Sequence, residues 1–251
     1  MRLELFYNPA LLIERLAIEI QRRRRLNKLR GTVAFSLKLG HIDSLEFLEI
    51  IKTDYPKIIY DIGANIGTWT LLAKANFPQV TVHAFEPLII HHDKFEQTLQ
   101  NVPNVYLHKV ALGSSYGSVN MQVTSFSDAS SVLEIAEATK DCFGITTERE
   151  EKVNIFPLDA YILEYNLPLP DLIKLDIQGY ELEALRGAIN CLINAKYIIC
   201  EVSFIEFYKG QALFHEIVEF LHQYNFYLYA LAINTPIGRK LSQTDVLFSK
   251  N

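Results

Sequence analysis

The chain has 251 residues, of which 49% are hydrophobic and 21% charged, with a net charge of −5. These values suit one globular α/β domain with a substantial core and a small appendage, and they argue against a general polyanion binder. The three cysteines, Cys142, Cys191 and Cys200, have no metal-ligand spacing, so neither a disulfide framework nor a metal site is expected. No signal sequence or bilayer-length apolar run is read, which makes a cytoplasmic location the expectation.

Residues 1–57 read as a helical extension. Pro9 suits a first helical turn with Asn8 as its cap. Leu11, Leu12, Leu16, Ala17 and Ile20 give the helix an apolar face. Arg22, Arg23, Arg24 and Arg25 follow, with Lys28 and Arg30 close behind. A solvated helix end is the first reading of this cationic run; contact with a membrane surface or an acidic partner is the second. A second helix over about 43–53 brings Leu45, Leu48 and Ile51 together.

From residue 58 strands and helices alternate, which predicts a parallel sheet covered on both faces. Strands are expected at 58–62, 80–85, 105–110, 171–176 and 196–202. Helices are expected at 67–75, 91–100, 158–165, 180–192 and 211–224. Two final strands, 226–230 and 244–248, could pair as a hairpin. The stretch 112–156 breaks the alternation with glycines, serines, a short β-like piece, a polar helix-like piece at 131–140 and the charged run 148–152. Long connections in compact domains are often functional, and a mobile substrate lid is expected there.

The first strand ends in Asp61-Ile62-Gly63-Ala64-Asn65-Ile66-Gly67 and runs into a helix. Gly63 and Gly67 let a ligand approach the backbone beside the amides that open that helix. Asn65 stands where a dinucleotide loop carries glycine, and no P-loop lysine follows. Asp61 would repel a pyrophosphate but favour a cationic ligand. S-adenosylmethionine (SAM) meets that requirement, having an ammonium, a sulfonium and no phosphate. The second strand ends at Glu86-Pro87, where a carboxylate can accept hydrogen bonds from ribose hydroxyls. Val110-Ala111, after the third strand, would line the adenine.

These motifs, together with Lys174-Leu175-Asp176-Ile177-Gln178-Gly179-Tyr180-Glu181 and the pair Ser130-Ser131, resemble the FkbM family of SAM-dependent methyltransferases over roughly 58–250. Many members carry Glu where this chain has Gln178. The resemblance implies a class I methyltransferase fold, Rossmann-like and mostly parallel with an antiparallel terminal strand. It also implies O-methylation, often of sugar or natural-product hydroxyls. Cofactor contacts then fall to Asp61, Gly63, Asn65, Gly67, Glu86 and Ala111. Asp176 is the expected general base, supported by Lys174 on the same strand face, with Glu201 as the second acid. His91, His92 and His215 are read as surface or packing residues. The expected partner is a small-molecule or glycan acceptor and not nucleic acid. RNA ribose methylation and a non-catalytic SAM- or nucleotide-binding module are the alternative readings.

Overall fold

The period of two along the first strand sends Ile59 and Asp61 to one face of a sheet and Tyr60 and Ile62 to the other, and the core divides accordingly into two layers. The structure is a computed structural model describing residues 9–37, 44–232, 235–237 and 240–250. The first half contains α1 (Pro9–Lys28), α2 (Ser44–Ile50), β1 (Ile58–Ile62), α3 (Thr68–Asn76), β2 (Thr81–Phe85), α4 (Ile89–Thr98), β3 (Val105–His108), β4 (Ala111–Leu112) and β5 (Gly117–Thr124). Then follow α5 (Glu137–Phe143), β6 (Thr147–Phe156), α6 (Leu158–Tyr165), β7 (Leu172–Leu175), α7 (Glu181–Arg186), α8 (Ile189–Asn194), β8 (Tyr197–Ser203), α9 (Phe214–His222), β9 (Phe226–Leu231), β10 (Thr235–Ile237) and β11 (Lys240–Lys250).

The main sheet runs β3-β2-β1-β7-β8-β11, with β9 and β10 each paired to β11. The strands from β3 to β8 are parallel, and β11 lies antiparallel to β8, β9 and β10. This is the class I methyltransferase arrangement expected from the sequence, terminal hairpin included. The strand order turns at β1, whose neighbours are β2 on one side and β7 on the other. A crevice opens beyond the carboxyl ends of strands at such a point.

Several expected boundaries move for local reasons. The third strand stops at His108, because Val110 N turns back to donate to the His108 carbonyl and Ala111–Leu112 join a second sheet. The helix expected over 180–192 is two helices broken at Gly187. A Cβ there would sit 2.0 Å from the Gly113 carbonyl oxygen, so the break lets the β4 turn approach closely. Asp159 starts the second piece by accepting from Asn190 N and Cys191 N at 2.8 and 3.2 Å. The polar helix expected at 131–140 lies at Glu137–Phe143.

The 112–156 stretch contains a three-stranded sheet ordered β4-β6-β5, and β5 pairs antiparallel with β6 from Gly117↔Ile155 to Thr124↔Thr147. Alternation puts Met121 and Val123 on the same buried side as Val153 and Ile155, and with Leu88 and Ala111 they form a separate small core. The stretch therefore buries more apolar surface than its serines and charges suggested.

At the N-terminus, α2 buries Leu45 and Leu48 as expected, and Ile51 is buried in the 3₁₀ turn that follows. The α1 stripe behaves differently. Leu12, Leu16 and Ile20 are about half exposed, and the helix is held instead through its carboxyl end, where Leu29 is buried. Arg25 departs from the reading of a solvated run: it is buried and pairs with Glu46, while Lys28 Nζ reaches Glu49 at 2.7 Å. Asn8, the expected cap, lies outside the described residues. Among the described residues, no helix is long and apolar enough to cross a membrane.

Candidate active site

The loop after β1 is built against the end of β7. Gly63 (φ 81°), Asn65 (φ 49°) and Gly67 (φ 82°) all have left-handed backbones. A Cβ on Gly63 would fall 2.0 Å from the Asp176 carbonyl oxygen, so this glycine is required by packing as well as conformation. Gly63 N and Ala64 N donate to the Phe85 carbonyl at 3.0 and 3.1 Å, tying the loop to β2. The next amide, Asn65 N, donates to Glu86 Oε2 at 2.9 Å. Glu86 is buried, and its Oε1 accepts from Leu88 N at 2.9 Å. Each carboxylate oxygen keeps a second lone pair for a ligand hydroxyl.

A cleft of about 730 Å³, counting its open mouth, lies beside this loop. Its walls include Gly63, Asn65, Glu86, Ala111 and Asp176 from the sequence-derived set. Met121, Asp128, Ser130 and Val132 come from the 112–156 stretch and form another wall. The lining holds three carboxylates, Glu86, Asp128 and Asp176, and neither lysine nor arginine.

Asp61, Gly67, Lys174 and Glu201 are not among the lining residues and stand behind it. Asp61 is fully buried; its Oδ2 accepts from Thr70 Oγ1 at 2.6 Å and its Oδ1 lies 3.5 Å from Lys174 Nζ. Asp61 thus pins α3 to β1 and balances a buried cation. Gly67 opens α3 and faces Phe95 and Leu99, where a Cβ would crowd both rows of side chains.

Lys174 is the register partner of Asp61 on the adjacent strand and shares a face with Asp176. Its ammonium lies 3.4 Å from Asp176 Oδ2 and 3.4 Å from the Gly63 carbonyl oxygen. Burial works against that charge, but the carboxylates of Asp176, Asp61 and Asp245 outweigh it, and the lysine is held above its usual range. The influence is mutual, so Lys174 favours an ionised Asp176 at the cleft wall.

Glu201 differs. Burial raises its carboxyl well above the usual range, and Asp176, Asp245 and Glu181 raise it further. The protonated form of Glu201 is therefore favoured. Glu181 is pushed up to about 7, first by burial, while it accepts from Ile177 N at 2.9 Å and Gly179 N at 3.2 Å. It braces the turn after β7 from beneath.

Sequence reasoning missed His91. It is buried in the cleft wall, with Nδ1 3.1 Å from Glu86 Oε1 but without hydrogen-bond geometry, and its Nε2 has no protein partner. The adjacent His92 is also buried and joins Nε2 to the Glu86 carbonyl at 2.9 Å. Their position one turn after Glu86-Pro87 was the available signal. Tyr208 lies 30 residues beyond Gln178, and the fold brings its hydroxyl within 2.9 Å of Gln178 Oε1.

A family model described as a methyltransferase FkbM domain matches residues 61–228. The hexuronic acid methyltransferase AglP of Haloferax volcanii is 24% identical over 164 residues, covering 65% of this chain and 62% of that protein. Methyltransferase 1 of Beauveria bassiana is 29% identical over 142 residues, covering 51% of this chain and 57% of the relative. The chain therefore spans about three-fifths of the length of the curated relatives it matches. Among solved structures, a fibrillarin pre-rRNA processing protein of Methanococcus jannaschii aligns at a TM-score of 0.49 and 13% identity, over 88% of this chain and 86% of that one.

Proposed function

Because this chain belongs to the FkbM methyltransferase family, we propose that it transfers a methyl group from SAM to a hydroxyl of a sugar or small secondary metabolite. The residues of the cleft fit the cofactor. Glu86 retains acceptor capacity for ribose hydroxyls, His91 Nε2 lacks a partner, Ala111 and Met121 offer apolar walls, and no lysine or arginine lines the site to call for phosphate. Bound there, SAM supplies a methyl group activated by a sulfonium.

The observation that carries the reading is Asp176. It ends β7 at the cleft wall against the glycine loop, with the Lys174 ammonium 3.4 Å behind it. An ionised carboxylate in that place accepts the proton that a hydroxyl loses as its oxygen forms the new bond to carbon. The likeness to a hexuronic acid methyltransferase supports a carbohydrate acceptor.

The test is a methyl-donor assay on a panel of glycans and metabolites, read by mass. Asp176→Asn should lower turnover by about 10²–10⁴-fold at saturating SAM and leave SAM affinity nearly unchanged. A single-turnover rate near wild type in that variant would overturn the base assignment.

A further inference from the structure

Gln178 occupies the space between the two acids of the site. Its Nε2 donates one hydrogen to Asp176 Oδ1 and the other to Glu201 Oε2, both at 2.8 Å. The amide cannot turn freely, because the single hydroxyl proton of Tyr208 is shared between Gln178 Oε1, 2.9 Å away, and the Ala129 carbonyl oxygen, 3.0 Å away. The backbone is held as well. Gln178 has a left-handed φ of 57°, and Ser131 Oγ donates to its carbonyl at 2.7 Å. One side chain is thus fixed from β7, from β8, from the 112–156 stretch and from the loop after β8.

The charges around this amide explain its chemistry. Asp176, Glu181, Glu201 and Asp245 crowd one end of the sheet, with Lys174 as the nearby cation. Two neighbouring carboxyl groups in such a place tend to share one proton, which raises the affinity of the pair for it. A shared proton would occupy the lone pair that Asp176 needs as a base. An amide NH₂ inserted between them keeps the acids apart and offers each a donor that is never itself removed.

We infer that Gln178 is the positioning residue of the proton acceptor. It aims the Asp176 carboxylate into the cleft and, lying between the two acids, keeps Asp176 and Glu201 from sharing a proton. This rests on the reading of Asp176 as the base. A glutamate at this position would add a further ionisable group in place of the NH₂.

The experiment compares wild type with Gln178→Leu and with the isosteric Gln178→Glu. The first readout needs no acceptor: carboxyl carbon NMR titration of the ligand-free protein, with the Asp176 signal assigned by its loss in Asp176→Asn. The Asp176 midpoint should rise by about one pH unit or more in both variants. The second readout is turnover. The acid limb of the kcat–pH profile should move up by a similar amount, kcat at pH 7 should fall about 10–100-fold, and the dissociation constant for SAM should stay within about threefold. An unmoved Asp176 midpoint in a folded Gln178→Glu protein overturns the inference, as does an unmoved acid limb. If no acceptor is ever methylated, the NMR titration still decides the role of Gln178, while the methyl-transfer reading fails separately.

Discussion

Asn65 Nδ2 donates to Asp128 Oδ1 at 3.1 Å, and this bond joins the glycine loop to the connection after β5 across the cleft. Ligand entry between these segments requires the bond to break. The β5–β6 ladder behind it is a continuous antiparallel pairing over its own small core. Opening should therefore be confined to the connection around 125–131. Asp128→Ala should raise hydrogen exchange there, leave the β5 and β6 amides protected, and speed SAM release by about 2–10-fold, the worth of one ordinary hydrogen bond. Exchange that rises equally along the whole hairpin would show that the sheet moves as one body.

The fold was legible because its signals are local. Ile58 to Ile62 and Leu172 to Leu175 are short, mostly apolar runs of strand length, with Asp61 near the end of the first and Asp176 directly after the second. The positions of Asp176 and Glu86 followed from being at strand ends. What the sequence hid is depth. Asp61 lies within the end of β1 and Asp176 just after β7, yet Asp61 points into the α3 layer and bonds Thr70, while Asp176 lines the cleft. Pairing was equally hidden: Gln178, Tyr208 and Glu201 meet through three separate connections, and no spacing rule links them. Arg25 looked like its three neighbours because helix phase alone did not say which face α2 would cover.

Glu86 is placed to hold the ribose, so Glu86→Gln should weaken SAM binding by about 1.5–3 kcal/mol, the range for hydrogen bonds to a charged group. Gln keeps an acceptor for one backbone amide, which protects the loop better than Ala would. His91→Phe should cost about 1 kcal/mol if Nε2 serves the ligand, since the ring volume is kept and only the polar atom is lost. Titration calorimetry reads both. Wild-type affinity in Glu86→Gln would remove Glu86 from the cofactor site.

Glu201 is the acid whose removal should matter least. Burial and its acidic neighbours push its carboxyl up, so Gln mimics the protonated form they favour. Its raised pKa gives a contribution to stability that is present at low pH and lost as pH rises. Glu201→Gln removes that loss, and its Tm relative to wild type should climb as pH increases. Turnover should stay within about threefold of wild type, against the about 10²–10⁴-fold loss expected for Asp176→Asn. A hundredfold fall in Glu201→Gln would identify Glu201 as an ionised participant in proton removal.

A second titrating group lies away from the cleft. His83 Nδ1 and His108 Nε2 are 3.0 Å apart, and His108 Nδ1 is 3.2 Å from the Tyr161 hydroxyl. The chain is satisfied with both rings neutral: Tyr161 donates to His108, and His108 donates to His83. Both histidines are lowered from 6.5 to about 4, His83 by burial and His108 by burial first and by His83 second. A histidine depressed in the folded state takes up protons more readily when unfolded. Stability from the pair is therefore full above about pH 6.5 and is lost as pH falls through 4. For the buried His83 alone the loss amounts to roughly 3 kcal/mol at about 1.4 kcal/mol per pH unit. Glu181, raised to about 7, runs the other way, its contribution fading as pH climbs from 4.5 through 7, so the wild-type profile mixes both. Denaturant unfolding of wild type and His83→Gln at each pH separates them. The variant starts less stable at pH 7.5 because a buried bond is disturbed, and the gap should narrow or reverse by pH 4.5. A gap that stays constant over that interval would mean that His83 does not titrate with folding.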